Sequence, residues 1–264
     1  MSEQKIILYG AFDRYNYGDI LIPIILNKYL KKYNFDNIVH CSIKKSDLTL
    51  FGGYKCAPLN EENITPNCNI IISGGEVLNV DWSSVTSYYA GWFGNRFIRM
   101  LRLLFPRQWI NYLCSKIMNG QFKYPFLINK LKFKNDIQVI YNSAGGVSIK
   151  SSDNNIRAIL FDADYISVRD TNSSQILGTD WGINNVLSPD IANAVSKFYP
   201  KSKLVKLTTL KTNEFIAKNK NNYFCFQIAK HYTFGEIPTI VNSLTKILES
   251  GTSIALLPLG IVSG

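Results

Sequence analysis

KIILYGAFDRYNYGDI, residues 5–20, holds an apolar run, a polar loop and the start of an apolar-periodic segment. The run Ile6–Tyr9 predicts a buried strand that breaks at Gly10, and the periodic residues from Ile20 onward predict a helix. A strand, a glycine-bearing loop and a helix N-terminus in this order form the ligand crevice of open α/β domains. We therefore expect the later strands of the chain to pair beside this first one.

Apolar runs and helical patterns alternate along the rest of the chain. Strands are predicted at 5–11, 37–43, 69–73, 137–143, 165–168, 221–228 and 253–257. Helices are predicted at 20–32, 95–104, 108–118, 155–162, 173–177 and 237–248. Short apolar strands separated by helices are typical of the α/β class, with a doubly wound parallel sheet and right-handed crossovers.

A change of composition after Val195 divides the sequence. Residues 1–195 form the predicted N-terminal α/β domain, and the Lys-, Thr- and Asn-rich stretch 196–220 is interpreted as a linker. A second α/β domain is predicted to start within 221–264. Because one βαβ unit cannot cover both faces of its own sheet, either this unit extends the first sheet or the second, Rossmann-like domain is incomplete, and we favour the incomplete domain.

Overall composition excludes several classes of protein. The hydrophobic content is 46% of 264 residues, which is typical of a globular chain and not of a disordered one. The N-terminus enters the first strand without a signal-peptide pattern, so we expect a cytoplasmic protein. The five cysteines are scattered without a CxxC pair, which indicates free thiols in a reducing compartment and no zinc site.

Nucleotide and metal motifs are missing or weak. No GxGxxG follows the first strand and no GxxxxGK[ST] occurs, so we expect no dinucleotide or P-loop site and no cofactor. Asp162 and Asp164 have the DxD spacing of some metal-dependent sugar transferases. They lie between a predicted helix and a predicted strand, where Asp162 is equally placed to end the helix, and we expect no metal.

The net charge of +10 is concentrated in residues 92–134, which contain no acidic residue. The nine basic residues there are Arg96, Arg99, Arg102, Arg107, Lys116, Lys123, Lys130, Lys132 and Lys134. Arg96, Arg99 and Arg102 alternate with large apolar residues and predict a basic amphipathic helix, which suits peripheral contact with an anionic membrane. A helical layer with a solvated basic rim is an equal alternative. A nucleic-acid partner is not expected, because no nucleic-acid module is recognisable.

Glycines and polar side chains follow several predicted strands, at 10–19, 73–76, 143–146, 167–170 and 188–190. Glycines at strand ends let backbone N–H groups approach an anionic ligand, and a following helix N-terminus adds a favourable dipole. Each of these alone is more often a plain turn. Their convergence at one edge of a parallel sheet favours a binding site.

Two of the charged candidates have ordinary alternatives. Asp170 can cap the next helix while Arg169 forms a surface ion pair. His231 follows a predicted strand and could serve as an acid or base, although an ordinary loop position is slightly favoured.

Four motifs in series resemble the polysaccharide pyruvyl transferase family. They are N-Y-G-D (Asn16–Asp19), I-I-S-G-G (Ile71–Gly75), S-V-R-D-x-x-S (Ser167–Ser173) and S-P-D-I-A (Ser188–Ala192). Their order and spacing match over most of the chain. The resemblance implies a two-domain fold similar to the glycosyltransferase-B architecture, with the active site in the cleft. It also implies an enzyme that moves a pyruvyl group from phosphoenolpyruvate to a sugar as a ketal, in making capsules, exopolysaccharides or wall polymers.

The resemblance and the chemistry together give a set of candidate site residues. Arg169 is the matching arginine, and the resemblance implies that it holds the anionic donor. Asn16, Asp19 and Glu76 are predicted to orient sugar hydroxyls, with either carboxylate a candidate base. His231 is a catalytic candidate by position alone. The predicted substrate-binding set is completed by Gly18, Gly74, Gly75 and Gly145.

One departure from the family pattern leaves other functions open. The family's S-x-R-x-H motif, from the later part of the second domain, has no counterpart here. We therefore expect a truncated second domain that lacks some donor-binding and proton-transfer groups.

Two other functions stay open beside pyruvyl transfer. They are a nucleotide-sugar-dependent glycosyltransferase of the same architecture and a non-catalytic fragment that binds a membrane or a partner. A lipid-linked saccharide acceptor on the cytoplasmic leaflet would account for the basic helix.

Overall fold

The chain divides into two units. The computed structural model describes residues 4–60, 64–133, 136–220, 222–228 and 235–257. One unit contains Met1–Val195 and the other is Ser196–Ile261.

A mostly parallel sheet forms the centre of the first unit. Its strands are β1 (Ile6–Tyr9), β2 (Ile38–Ser42), β3 (Ser46–Asp47), β4 (Lys55–Pro58), β5 (Asn69–Ser73), β6 (Gln138–Ala144), β7 (Tyr165–Val168) and β8 (Val186–Leu187). In the described part of the chain the sheet has eight strands in the order β3-β4-β2-β1-β5-β6-β7-β8. β3 pairs antiparallel with β4, and the other pairs are parallel. The α/β class is thereby confirmed.

Helices connect and flank these strands. They are α1 (Tyr17–Lys32), α2 (Trp82–Tyr89), α3 (Gly91–Leu104), α4 (Arg107–Ile117), α5 (Asn154–Phe161) and α6 (Thr171–Gln175). A π-helical turn, Ile176–Asp180, continues α6. Shorter 3-10 turns lie at Thr49–Phe51, Lys130–Lys132 and Ile191–Ala194.

Strand β1 shows why an unbroken apolar run predicts a central strand. Ile7 and Tyr9 belong to the larger hydrophobic core on one face of the sheet, and Ile6 and Leu8 belong to a second core on the opposite face. Side chains alternate between the faces of a strand, so a strand covered on both faces needs apolar residues at every position.

The sheet changes its winding direction at β1. The chain passes from β1 to β2 on one side and later returns to β5 on the other side. Loops that leave such neighbouring strands diverge, which opens a crevice at their carboxyl ends. Gly10 allows the ends of β1 and β5 to lie close together at this edge, because a Cβ atom at position 10 would lie 2.2 Å from the Ser73 carbonyl oxygen.

The second unit contains a parallel strand pair. Its helices are α7 (Val195–Phe198), which starts at the boundary, α8 (Lys201–Leu207), α9 (Leu210–Asn219) and α10 (Ile237–Glu249). Its strands β9 (Tyr223–Phe226) and β10 (Ser253–Leu256) pair in parallel, with Tyr223 opposite Ser253. Residues 196–220, which we interpret as a linker from their composition, are therefore largely helical.

Candidate functional site

The loops after β5 and β6 are joined at the carboxyl edge of the sheet. The Gly145 amide donates to the Gly75 carbonyl at 2.9 Å, and the Gly145 carbonyl accepts from the amides of Val77 and Leu78. Glu76 Oε2 accepts from the Val147 amide at 3.0 Å. The glycine-bearing turns predicted from the sequence after these two strands therefore lie together.

Gly145 is required by this close approach. A Cβ atom at position 145 would lie 2.6 Å from the Gly75 carbonyl oxygen, 2.7 Å from Glu76 Oε1 and 2.8 Å from Arg169 Nε. Distances under about 3 Å are repulsive between non-bonded heavy atoms of this kind. Gly74, by contrast, lies in the turn after β5, where a Cβ would be 3.1 Å from Val77 Cγ1.

Arg169 follows β7 and reaches two carboxylates. Its guanidinium lies 2.6 Å from Asp190 Oδ2 and 3.5 Å from Glu76 Oε1. Burial lowers the pKa of Arg169, but the hydrogen bond and charge of Asp190 and the charge of Glu76 outweigh it and raise that pKa. The arginine is thus neutralised by two acids in this structure, with a much closer contact to Asp190 than to Glu76.

Asp170 has the ordinary role that the sequence allowed. Its Oδ1 accepts from the Ser173 amide at 2.8 Å, which caps α6. Its Oδ2 also accepts from the Gly146 amide at 3.3 Å, which ties the β6 loop to α6. Asp170 therefore stabilises the frame around Arg169.

The start of α1 places Asn16, Gly18 and Asp19. Asn16 is the N-cap, and its Oδ1 accepts from the Gly18 amide at 3.2 Å. Burial raises the pKa of the Asp19 carboxyl to about 6, although Arg14, the Asn16 amide and Arg169 all favour its ionised form. A carboxyl group with this pKa exchanges protons near neutral pH, which is what general acid–base catalysis requires.

Arg14 and Asp13 are charged residues of this edge to which the sequence analysis gave no role. Asp13 is buried and accepts from the Lys44 amide at 2.7 Å. The Arg14 guanidinium lies 4.4 Å from the centre of the Tyr88 ring, and its charge acts on Asp19. Their position in the polar loop after β1 was the available signal. Helix α2, which supplies Tyr88, was not predicted, so this ring contact could not be foreseen.

The predicted catalytic residues are only partly brought together. Asp19, Glu76 and Arg169 lie at the same edge, and the charge of Arg169 acts on both acids. His231 lies outside the residues that the structure describes. Asp190, whose Oδ1 also accepts from the Ala192 amide at 2.9 Å, is a further member of the group.

A separate cavity of about 450 Å³ lies at the carboxyl ends of β1, β2 and β4. Its lining includes Lys44, Lys45, Trp82, Ile117 and Gln121. Its lysine and amide groups could meet an anionic or hydroxyl-rich molecule. Glu76 and Arg169 do not line it.

The DxD pair has structural partners. Asp164 lies 2.6 Å from Lys130 Nζ and accepts from the Val139 amide at 2.7 Å, while Asp162 ends α5. Within the described residues no group of three or more His, Cys, Asp or Glu side chains is arranged to hold a metal ion.

Comparison with known proteins supplies the family. The family model described as polysaccharide pyruvyl transferase matches residues 16–264. No match was found among the curated proteins or the solved structures. The family match begins at the N-cap Asn16 and extends over the loops that carry Glu76, Gly145 and Arg169. The chain therefore belongs to the polysaccharide pyruvyl transferase family and is a transferase.

Proposed function

We propose that this transferase moves a pyruvyl group from phosphoenolpyruvate to two hydroxyls of a sugar, forming a ketal in a surface polysaccharide such as a capsule or exopolysaccharide. The observation that carries the proposal is the meeting of Asp19, Glu76 and Arg169 at one sheet edge. The reaction needs a fixed cation for the donor, an acid for its methylene carbon and a base for the acceptor.

Arg169 is the proposed anchor for the donor. Its contact with Asp190 at 2.6 Å is a strong charged hydrogen bond, whereas its 3.5 Å contact with Glu76 is at the limit of one. A donor carboxylate or phosphate would therefore replace Glu76 while Asp190 keeps the guanidinium in place. The released Glu76 carboxylate is then available as the base for the sugar hydroxyl.

Asp19 is the proposed proton donor to the methylene carbon. Protonation gives an oxocarbenium-like centre, which the first sugar hydroxyl attacks as it loses its proton. Phosphate leaves with its bonding electrons, and a second hydroxyl closes the ketal as its proton returns to Asp19, so the products are the pyruvylated sugar and inorganic phosphate. The raised pKa of Asp19, about 6, means that a useful fraction is protonated near neutral pH.

The acceptor is proposed to place its reacting hydroxyls at Glu76 and to extend the rest of the saccharide toward the 450 Å³ cavity, which Glu76 does not line. Lys44 lines this cavity, and its backbone amide donates to Asp13 beside the crevice. Ile117, also in the lining, is the last residue of α4. The cavity therefore borders α4, which lies in the basic segment 92–134. A cavity beside this segment supports a lipid-linked saccharide as the acceptor, with the reaction on the cytoplasmic side of the membrane.

The arrangement of the two units is also a proposal. A glycosyltransferase-B-like layout, with a second Rossmann-like domain beginning within 221–264, is supported by the parallel pair of β9 and β10 and the helix α10 between them in the chain. A first-domain boundary near Val195 is supported by the division of the chain at that residue.

Phosphorus NMR of the full-length protein with phosphoenolpyruvate and a short bacterial saccharide tests the chemistry. We expect inorganic phosphate to appear only when the saccharide is present, together with a new ketal methyl signal in the proton spectrum. Phosphate release without saccharide would indicate hydrolysis and would contradict transfer. A UDP- or GDP-sugar in place of phosphoenolpyruvate is the matched comparison, and turnover of that donor alone would favour a glycosyltransferase.

A further inference from the structure

An unusually apolar helical pair covers one side of the first unit. Helices α3 and α4, joined through Phe105 and Pro106, are here called the α3–α4 surface for the exposed side chains of residues 91–117. Within α3 only Ile98 is buried, and within α4 only Ile110 and Cys114. The large exposed apolar side chains include Phe93, Phe97, Met100, Leu104, Trp109 and Leu113. Isolated exposed apolar residues are ordinary, but a contiguous group of this size marks a site of interaction.

The apolar residues of α3 form one stripe. Phe93, Phe97, Met100 and Leu104 recur at spacings of four, three and four, which places them on one side of a helix. Phe93 is 81% exposed and Leu104 is 66% exposed, so this side is not the one packed on the protein. The described residues of the first unit leave this stripe uncovered.

The arginines of α3 and α4 differ in their contacts. Arg102 donates to Ser83 Oγ at 2.7 Å, and Arg107 lies 2.8 Å from Asp81 Oδ2. These two fasten the helices to the start of α2. Arg96 and Arg99 are exposed, with Arg96 lying over the Trp92 ring at 4.8 Å. Arg107 stays 74% exposed although it is paired with Asp81, whereas Arg96 and Arg99 have no acidic neighbour in their own segment and carry the proposal.

We propose that the α3–α4 surface docks on the face of an anionic lipid bilayer. No acidic residue occurs between Asp81 and Asp136, so the surface complements negative lipid headgroups. A second copy of the same face would bring like charges together. Arginine stems can lie along the apolar stripe with their guanidinium groups among the headgroups, and tryptophan favours the same depth.

The helices are of the kind that lies in the interface. No helix in the described residues has the length and apolar character needed to span a bilayer. An amphipathic helix with large apolar residues on one side and arginines beside them inserts its apolar side at the level of the headgroups. This docking goes beyond the proposed chemistry and does not depend on it.

The chain carries its own probe for the test. Of its four tryptophans, Trp82 and Trp181 are 3% exposed, whereas Trp92 and Trp109 are 57% and 70% exposed. Mixing with vesicles of phosphatidylcholine and phosphatidylglycerol should shift the fluorescence to the blue and carry the protein into the sedimented lipid. Pure phosphatidylcholine vesicles should bind much less. Rising salt should weaken the binding, since exposed charges are screened.

Two variants separate the charge from the apolar stripe. Arg96→Glu with Arg99→Glu should reduce the vesicle-binding constant roughly tenfold or more, and Phe93→Ser with Phe97→Ser should do the same without changing the net charge. Lys201→Glu with Lys206→Glu, an equal charge change on α8, is the matched control and should bind nearly as the wild type does. Circular dichroism and the unfolding midpoint confirm that each variant is folded.

Several results would overturn the docking proposal. They are unchanged vesicle binding in both surface variants, equal loss in the α8 control, and the absence of any fluorescence shift with anionic vesicles. Loss of a dimer in the Phe93 and Phe97 variant, measured by sedimentation velocity, would assign the surface to a subunit interface instead. Phosphoenolpyruvate turnover with a soluble saccharide should be unchanged in the surface variants, so failure of docking is distinguishable from failure of the proposed reaction.

Discussion

At the scale of single residues, the crevice depends on the unequal contacts of the Arg169 guanidinium with two carboxylates. Asp190 takes one side of the guanidinium at 2.6 Å, and Glu76 touches the other at 3.5 Å. An arginine held by one acid and loosely contacted by another can exchange the second for an incoming anion. We propose that Asp190 positions Arg169 for this exchange; its own contact with the Ala192 amide holds Asp190 in place.

Replacing Arg169 by Ala should lower turnover by about a hundredfold or more, because a fixed cation opposite a leaving phosphate is worth that much in similar sites. It also leaves Asp190 and Glu76 without their cation. The phosphate-release assay measures the loss. Arg157→Ala is the control, since Arg157 contacts the Trp181 carbonyl and neither acid. Equal activity in the two variants would remove Arg169 from the mechanism.

Replacing Asp19 by Asn should stabilise the protein at neutral pH by up to about 3 kcal/mol. The reason is that folding of the variant no longer buries an ionised carboxyl group. The folded pKa of Asp19, about 6, lies above its unfolded value of 3.8. The contribution of Asp19 to the free energy of unfolding of the wild type is therefore fully present below pH 3.8 and is lost as the pH rises through about 6. Unfolding midpoints of both proteins across this range measure the difference.

The advantage of Asp19→Asn should shrink as the pH falls below about 6. His40 changes stability in the opposite direction, because burial lowers its pKa to about 4, and the comparison of variant with wild type cancels that contribution. A constant difference across the range would show that the Asp19 pKa is not raised. Turnover should fall in the variant, since the proposed acid is lost.

At the scale of elements, the site is made by loops that must approach closely. Strand β6 is irregular where it reaches the site, with a register shift between Tyr141 and Ala144 and a left-handed Ser143 at φ 48°. Ser143 Oγ donates to the Pro189 carbonyl at 3.0 Å, which joins this irregular end to the loop that carries Asp190. Bulges of this kind redirect a strand end next to functional sites.

Replacing Gly145 by Ala should destabilise the fold by about 1–3 kcal/mol, which is usual for overpacking, and should displace Glu76 from Arg169. Gly18→Ala is the matched control, because a Cβ there has only an ordinary 3.6 Å contact with Asn16 Oδ1. The midpoint of denaturant unfolding should fall for Gly145→Ala and not for Gly18→Ala, and turnover should fall for Gly145→Ala. If the two alanine variants behave alike, the close approach of the loops is not required.

Asp81 fastens the α3–α4 surface to α2. It caps α2 by accepting from the Ser84 amide at 2.8 Å and pairs with Arg107. Asp81→Ala should therefore cost about 1–2 kcal/mol, mainly from the lost cap, because Arg107 is 74% exposed and its ion pair adds little. Asp153→Ala is the control, because Asp153 precedes α5 without capping it. A similar midpoint of denaturant unfolding for both variants would contradict this role.

At the scale of the whole molecule, the sequence predicted the central parallel strands well. The predicted strands 69–73 and 165–168 coincide with β5 and β7, because their apolar runs are bounded by polar residues and glycine. Strands at or next to the edges of the sheet were missed for a physical reason. β4 contains Lys55 and Pro58, and β8 has two residues, so neither carries the pattern of a buried strand.

The position of the candidate site's loops could be predicted from the sequence, but the contacts between their side chains could not. Strand ends and glycines located the loops that carry Asp19, Glu76, Gly145 and Arg169. The partnership of Arg169 with Asp190 joins residues 21 apart in the sequence, and no local pattern specifies it. Helix α2 was missed because its serines and tyrosines are weak helix formers, so the contact of Arg14 with Tyr88 was also missed.

The most direct test of the central claim is calorimetric titration of phosphoenolpyruvate into the wild type and into Arg169→Ala, with a UDP-sugar titrated in parallel. We expect the wild type to bind phosphoenolpyruvate and the variant to bind it at least tenfold more weakly, because the donor's anchoring cation is gone. Equal binding by the two proteins, or binding of the UDP-sugar alone, would contradict a phosphoenolpyruvate site at this edge of the sheet.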